Sequence, residues 1–121
     1  MKRLPLLLAL ILAPLAASAD ASGTWTATFD TQIGEQSYTY EFEVDGMTLT
    51  GIAKSANGET EITEGKVDGD QISFVENLNF QGMELEITYT GTMTSDDEIA
   101  FIRRVGEFAT EELVATRVET D

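Results

Sequence analysis

From residue 24 onward the chain alternates apolar and polar side chains with a period of two, and turn signals interrupt it roughly every eight to twelve residues. Thr24 to Phe29 sets threonines against Trp25, Ala27 and Phe29, and Tyr38 to Val44 alternates up to an Asp45-Gly46 turn. Met47 to Lys54 carries Leu49, Gly51 and Ala53 on one face before Asn57-Gly58, and Thr60 to Val67 ends at Asp68-Gly69-Asp70. Ile72, Phe74 and Glu76 share a face of a fifth strand, which a looser connection over Asn77–Gly82 joins to the sixth. There Met83, Leu85, Ile87, Tyr89, Gly91 and Met93 oppose glutamates and threonines, so one face is buried and one is wet. Glu98–Val105 and a last strand near Glu111–Val118 complete the set. Helical spacing is absent, and connections this short make neighbouring strands antiparallel. The pattern predicts an all-β fold, an eight-stranded antiparallel up-and-down barrel, with a two-sheet β-sandwich as the alternative.

The first 19 residues follow a different logic. Lys2 and Arg3 precede an apolar run from Leu4 to Leu15, and Ala17-Ser18-Ala19 is a small-x-small cleavage site before Asp20. The run is too short to span a bilayer, and no stop-transfer pattern follows, so no membrane anchor is expected. The reading is a signal peptide over 1–19 and export to the periplasm or beyond. One all-β domain then occupies 20–121, roughly 100 residues, with a modest core.

Composition removes several chemistries. The chain has no cysteine and no histidine. That excludes disulfide staples, Cys or His nucleophiles, a Ser-His-Asp triad and a Cys/His zinc site. The formal net charge is −15, and losing Lys2 and Arg3 with the leader makes the remainder more acidic still. Such a field repels phosphate backbones, so nucleic acid is not an expected partner. Asp68-Gly69-Asp70 and Asp96-Asp97-Glu98 lack calcium-loop spacing and read as turns, and no cofactor or metal is expected.

Gly23-Thr24-Trp25 at the start of the first strand resembles the G-x-W signature of the calycin superfamily, which comprises lipocalins, fatty-acid-binding proteins and avidins. Arg117, near the end of the last strand, matches the position from which those barrels lay an arginine over the tryptophan, and Leu49-Thr50-Gly51 is similar to an avidin segment. The resemblance implies that Gly23, Trp25 and Arg117 close one barrel end by cation–π contact and apolar packing. It extends to small exported bacterial β-barrel proteins. Trp25 is the only tryptophan, so no biotin site is carried over, and no helical pair fits between the first two strands.

Polar residues in phase with an apolar face carry the candidate chemistry, because an unpaired buried charge is strongly unfavourable. Arg103 follows Ile99 and Phe101, and Glu76 follows Ile72 and Phe74; a meander brings both toward one end of the barrel. Tyr40 and Tyr89 add inward hydroxyls, while Arg104 alternates outward. One reading is a Glu76–Arg103 bridge at the end of a filled barrel. Another is a ligand site in which Arg103, Glu76, Tyr40 and Tyr89 form a polar floor beneath Phe42, Phe74 and Phe101, with Trp25, Phe29 and Tyr38 completing the aromatic set. Such a site suits a small apolar or amphipathic molecule, including a carboxylate. The expected activity is non-catalytic binding of that molecule. The alternatives are a solid-cored module whose outer face docks a protein or glycan, and a small hydrolase or isomerase using Glu76 or Glu64 as a base.

Overall fold

The structure, a computed structural model, describes residues 20–56, 58–80 and 82–118; the signal peptide read over 1–19 lies outside them. Eight strands follow one another: β1 (Gly23–Thr31), β2 (Gly34–Asp45), β3 (Thr48–Ser55), β4 (Gly58–Asp68), β5 (Gln71–Phe80), β6 (Met83–Ser95), β7 (Glu98–Val105) and β8 (Ala109–Arg117). Each pairs antiparallel with its sequence neighbour, and β8 returns to β1, closing the barrel in the order β1 to β8. The barrel expected from the alternation is the one observed, and the two-sheet sandwich is not.

Inward residues follow the predicted phase except at the start of β6, where Met83, expected on the buried face, is 55% exposed. Trp25, Ala27 and Phe29 of β1 are buried, as are Tyr38, Tyr40 and Phe42 of β2, Ile87 and Tyr89 of β6, and Ile99 and Phe101 of β7. Ring packing binds them into one core: Phe74 stacks on Tyr89 with centroids 4.3 Å apart, and Tyr40 meets Tyr89 edge-on at 5.6 Å.

Two details depart from the sequence reading. The Asn77–Gly82 connection is not loose: β5 continues through this stretch to Phe80, pairing Asn77 with Glu86, Leu78 with Leu85 and Asn79 with Glu84. Asparagine has low strand propensity, but Leu78 stays in phase with Phe74 and packs on the core, and the partner strand decides the outcome. In β4 the alternation is interrupted. Ile62 and Val67 both contact the core although five positions apart, and an extra residue between Thr63 and Lys66 reverses the phase. Glu64 takes a left-handed φ of 53° there. Beside it, a Cβ on Gly65 would stand 2.1 Å from the Leu49 carbonyl oxygen, so only glycine lets β3 and β4 approach at this bend.

The closing ladder is short. Register between β1 and β8 covers Trp25 with Arg117 and Thr26 with Thr116. At the opposite end, the Gln32 amide donates to the Phe108 carbonyl at 3.3 Å and ties the β1–β2 turn to the β7–β8 turn.

Candidate functional site: a sealed end and an open end

One end of the barrel gathers the start of β1, the end of β8 and the β2–β3, β4–β5 and β6–β7 turns. Trp25 is fully buried there, and its indole Nε1 donates to the Ala21 carbonyl at 2.9 Å. The Arg117 guanidinium lies 4.4 Å from the Trp25 ring centroid. It donates to the carbonyls of Asp96 (2.8 Å), Ser22 (2.7 Å) and Asp20 (2.8 Å), lacing the chain entry to the β6–β7 turn. Gly23 leaves room for this: a Cβ would stand 3.0 Å from an Arg117 terminal nitrogen. Gly23, Trp25 and Arg117 thus meet at one barrel end and plug it.

Midway up the barrel is a buried polar cluster. The register sets Tyr89 of β6, Arg103 of β7 and Glu111 of β8 side by side on three adjacent strands. Arg103 Nε donates to the Tyr89 hydroxyl at 2.8 Å, one terminal nitrogen donates to the Tyr38 hydroxyl at 3.0 Å, and the other pairs with the Glu111 carboxylate. The two tyrosines pass the chain on, Tyr38 donating to Glu76 Oε2 at 3.3 Å and Tyr89 to Glu76 Oε1 at 3.1 Å. With the Tyr89 proton committed to Glu76, the 2.9 Å contact between Tyr40 and Tyr89 places Tyr40 as donor. Arg103 also lies 5.2 Å from the Phe29 centroid and 5.1 Å from that of Tyr38.

The electrostatics follow from two carboxylates and one guanidinium in a region of low dielectric. Burial pushes the Glu76 carboxyl up from its ordinary value, and the Arg103 charge with the Tyr89 and Tyr38 hydrogen bonds pulls the other way without prevailing. Burial likewise raises Tyr38, Tyr40 and Tyr89, keeping them protonated donors. Burial works against the Arg103 charge, yet the surrounding Tyr89, Tyr38 and Glu111 oxygens outweigh it and Arg103 stays cationic.

Above this cluster the other end opens into a cavity of about 250 Å³. Tyr38, Arg103 and Glu111 form its floor, and Leu78, Leu85, Ile87 and Val105 its walls. The rim is apolar as well: Ile33, Met83 and Phe108, from three separate chain segments, are 57%, 55% and 63% exposed.

The residues singled out from the sequence divide between these regions. Arg103 reaches the cavity. Glu76 and Tyr89 hold it from behind, and Tyr40 bonds to Tyr89; none of these three lines the cavity. Phe42, Phe74 and Phe101 pack into the solid part of the interior and do not line it either. Glu76 and Arg103 lie at one level, midway along the barrel rather than at the end expected for them; tyrosine hydroxyls stand between them, and the direct partner of Arg103 is Glu111. Glu64 is exposed on the β4 bulge. Sequence reasoning missed Glu111 and the aliphatic walls. Glu111 stands in phase with Leu113 and Ala115, the face of β8 that the structure buries.

The chain matches no protein-family model and no curated protein. Among solved structures it is similar to a redesigned β-barrel, mFAP1, bound to DFHBI, with TM-score 0.51 and 16% identity over 80% of this chain and 94% of that one. At that identity the likeness is one of fold.

Proposed function

We propose that this protein is an exported, calycin-like barrel that binds one small, mostly apolar molecule at its open end, without catalysis. One observation carries the reading, the asymmetry of the interior. Trp25 and Arg117 plug one end, while the other opens on an apolar-walled cavity with a buried guanidinium at its floor. Ligand sites have this composition, apolar walls with a few placed polar groups. The similar solved barrel is bound to DFHBI, which supports a ligand-holding use of the architecture. The hydrolase reading has less support, because Glu76 is 1% exposed and stands behind Tyr38 and Tyr89.

A thermal-shift screen of short-chain alcohols, amides, fatty acids and isoprenoids tests binding. A true ligand at about 100 times its Kd stabilises the fold by roughly 2.7 kcal/mol. Ala109→Trp, which fills the cavity from its β8 wall, abolishes that shift while the barrel stays folded. Absence of any stabilising compound, or an undiminished shift in Ala109→Trp, contradicts the proposal. Export rests on the leader pattern of residues 1–19; N-terminal sequencing of the exported protein then begins at Asp20, and a retained Met1 argues against it.

A further inference from the structure

The floor of the cavity has hydrogen-bonding capacity left over, and of both kinds. A guanidinium carries five N–H groups. Three of those on Arg103 are engaged, by Tyr89, Tyr38 and Glu111, which leaves one on each terminal nitrogen. Glu111 is bonded through Oε1, while no described residue donates to Oε2. The Tyr38 hydroxyl has nothing left to donate, since its proton goes to Glu76. Arg103 and Glu111 have side chains only 5% and 9% exposed, and both line the cavity. Free donors and a free acceptor thus lie side by side, in a place where unsatisfied polar groups are unfavourable.

The charges narrow the choice further. Arg103 and Glu111 neutralise each other, and Glu76 behind them contributes either nothing or a negative charge. An anionic head accepts from Arg103 but meets the Glu111 carboxylate with no proton to offer it. A cationic head donates to Glu111 but faces guanidinium N–H groups with nothing to accept them. A carboxylate ligand would suit Arg103 standing alone; Glu111 opposite it on β8 alters that choice. We infer that the ligand has an uncharged head that both donates and accepts, of the carboxamide class. Its carbonyl takes an N–H of Arg103, its N–H goes to Oε2 of Glu111, and its aliphatic tail lies against Leu78, Leu85 and Val105. Specificity here works by rejection as much as attraction, since each charged analogue leaves one buried group unmet.

This inference rests on the ligand-binding reading, and its test separates the two. The mature protein is titrated at pH 7 with hexanamide, hexanoate and hexylamine, three molecules with one tail and three heads. NMR shifts of the Arg103 Nε–H and of the Leu85 and Val105 methyls report binding. The expected result is that hexanamide binds at least about tenfold more tightly than either charged compound, one tenfold step being a modest demand on a missing buried hydrogen bond. Glu111→Gln is then expected to bring hexanoate level with hexanamide or ahead of it, because Arg103 loses its counter-charge and the acid its repulsion. Hexanoate binding the unaltered protein as tightly as hexanamide overturns the inference while leaving a ligand site in place. So does a preference that Glu111→Gln does not move. If none of the three shifts the cavity methyls, the binding reading falls and the inference falls with it.

Discussion

Glu76 puts a carboxylate where ionisation is least favoured, 1% exposed and reached by two phenolic hydroxyls rather than by water. Its raised folded-state pKa has a definite consequence for stability. The folded state holds the proton more firmly than the unfolded chain, whose carboxylate titrates near 4.3. The stabilisation from that proton is complete below the unfolded value and is lost as pH rises through the folded one. Glu76→Gln removes this titration, so the variant gains on the parent across that window and the two run parallel above it. Urea midpoints measured from pH 4 to pH 8 check this, and a difference independent of pH contradicts it. Arg103 and Glu76 were legible in the sequence because each continues an apolar phase, Ile99-Phe101-Arg103 and Ile72-Phe74-Glu76. Glu111 was not, because the last strand carries apolar residues on both faces. Val114 is 52% exposed while Leu113 and Ala115 are buried, so alternation there does not say which face turns inward.

At the scale of the strands, the barrel is least secure where it closes. The Arg117 amide donates to Asp97 of the β6–β7 turn and the Val118 amide to Thr24 of β1, so β8 amides alternate between the two sides. By that alternation the amides of Glu112 and Val114 face β1, where the ladder has already ended after Thr26–Thr116. Hydrogen exchange is therefore expected to be faster at Glu112 and Val114 than at Leu113 and Ala115, which face β7. Equal protection along β8 contradicts an open seam. Strand number and order were readable in advance because one face of nearly every strand is apolar. The β4 bulge was not identified, although Ile62 and Val67 stand an odd number of positions apart with Gly65 between them, which strict alternation forbids if both face inward. The extension of β5 to Phe80 was hidden by Asn77 and Asn79, whose pairing with β6 is a property of the sheet and not of local propensity.

As a whole the molecule is a closed sheet with a filled half and a hollow half. Rings from β1, β2, β5, β6 and β7 fill the interior from Trp25 up to Tyr89, and smaller aliphatic chains line the space beyond. Closure removes long free edges, and a net charge of −15 opposes edge-to-edge association between barrels. The alternation announces an antiparallel all-β meander, which a barrel or a two-sheet sandwich would satisfy, and the pairing of β8 with β1 decides for the barrel. Whether the interior is hollow depends on side-chain volumes summed across eight strands, which no single strand reveals. Intermolecular NOEs to a bound small molecule such as hexanamide, in the protein with assigned methyl groups, measure that division directly. The account predicts contacts from the ligand to the methyls of Leu78, Leu85, Ile87 and Val105, and none to Leu49, Ile72 or Ile99. Contacts to the second set, or a saturating ligand that touches neither, would contradict a barrel plugged by Trp25 and open above Arg103.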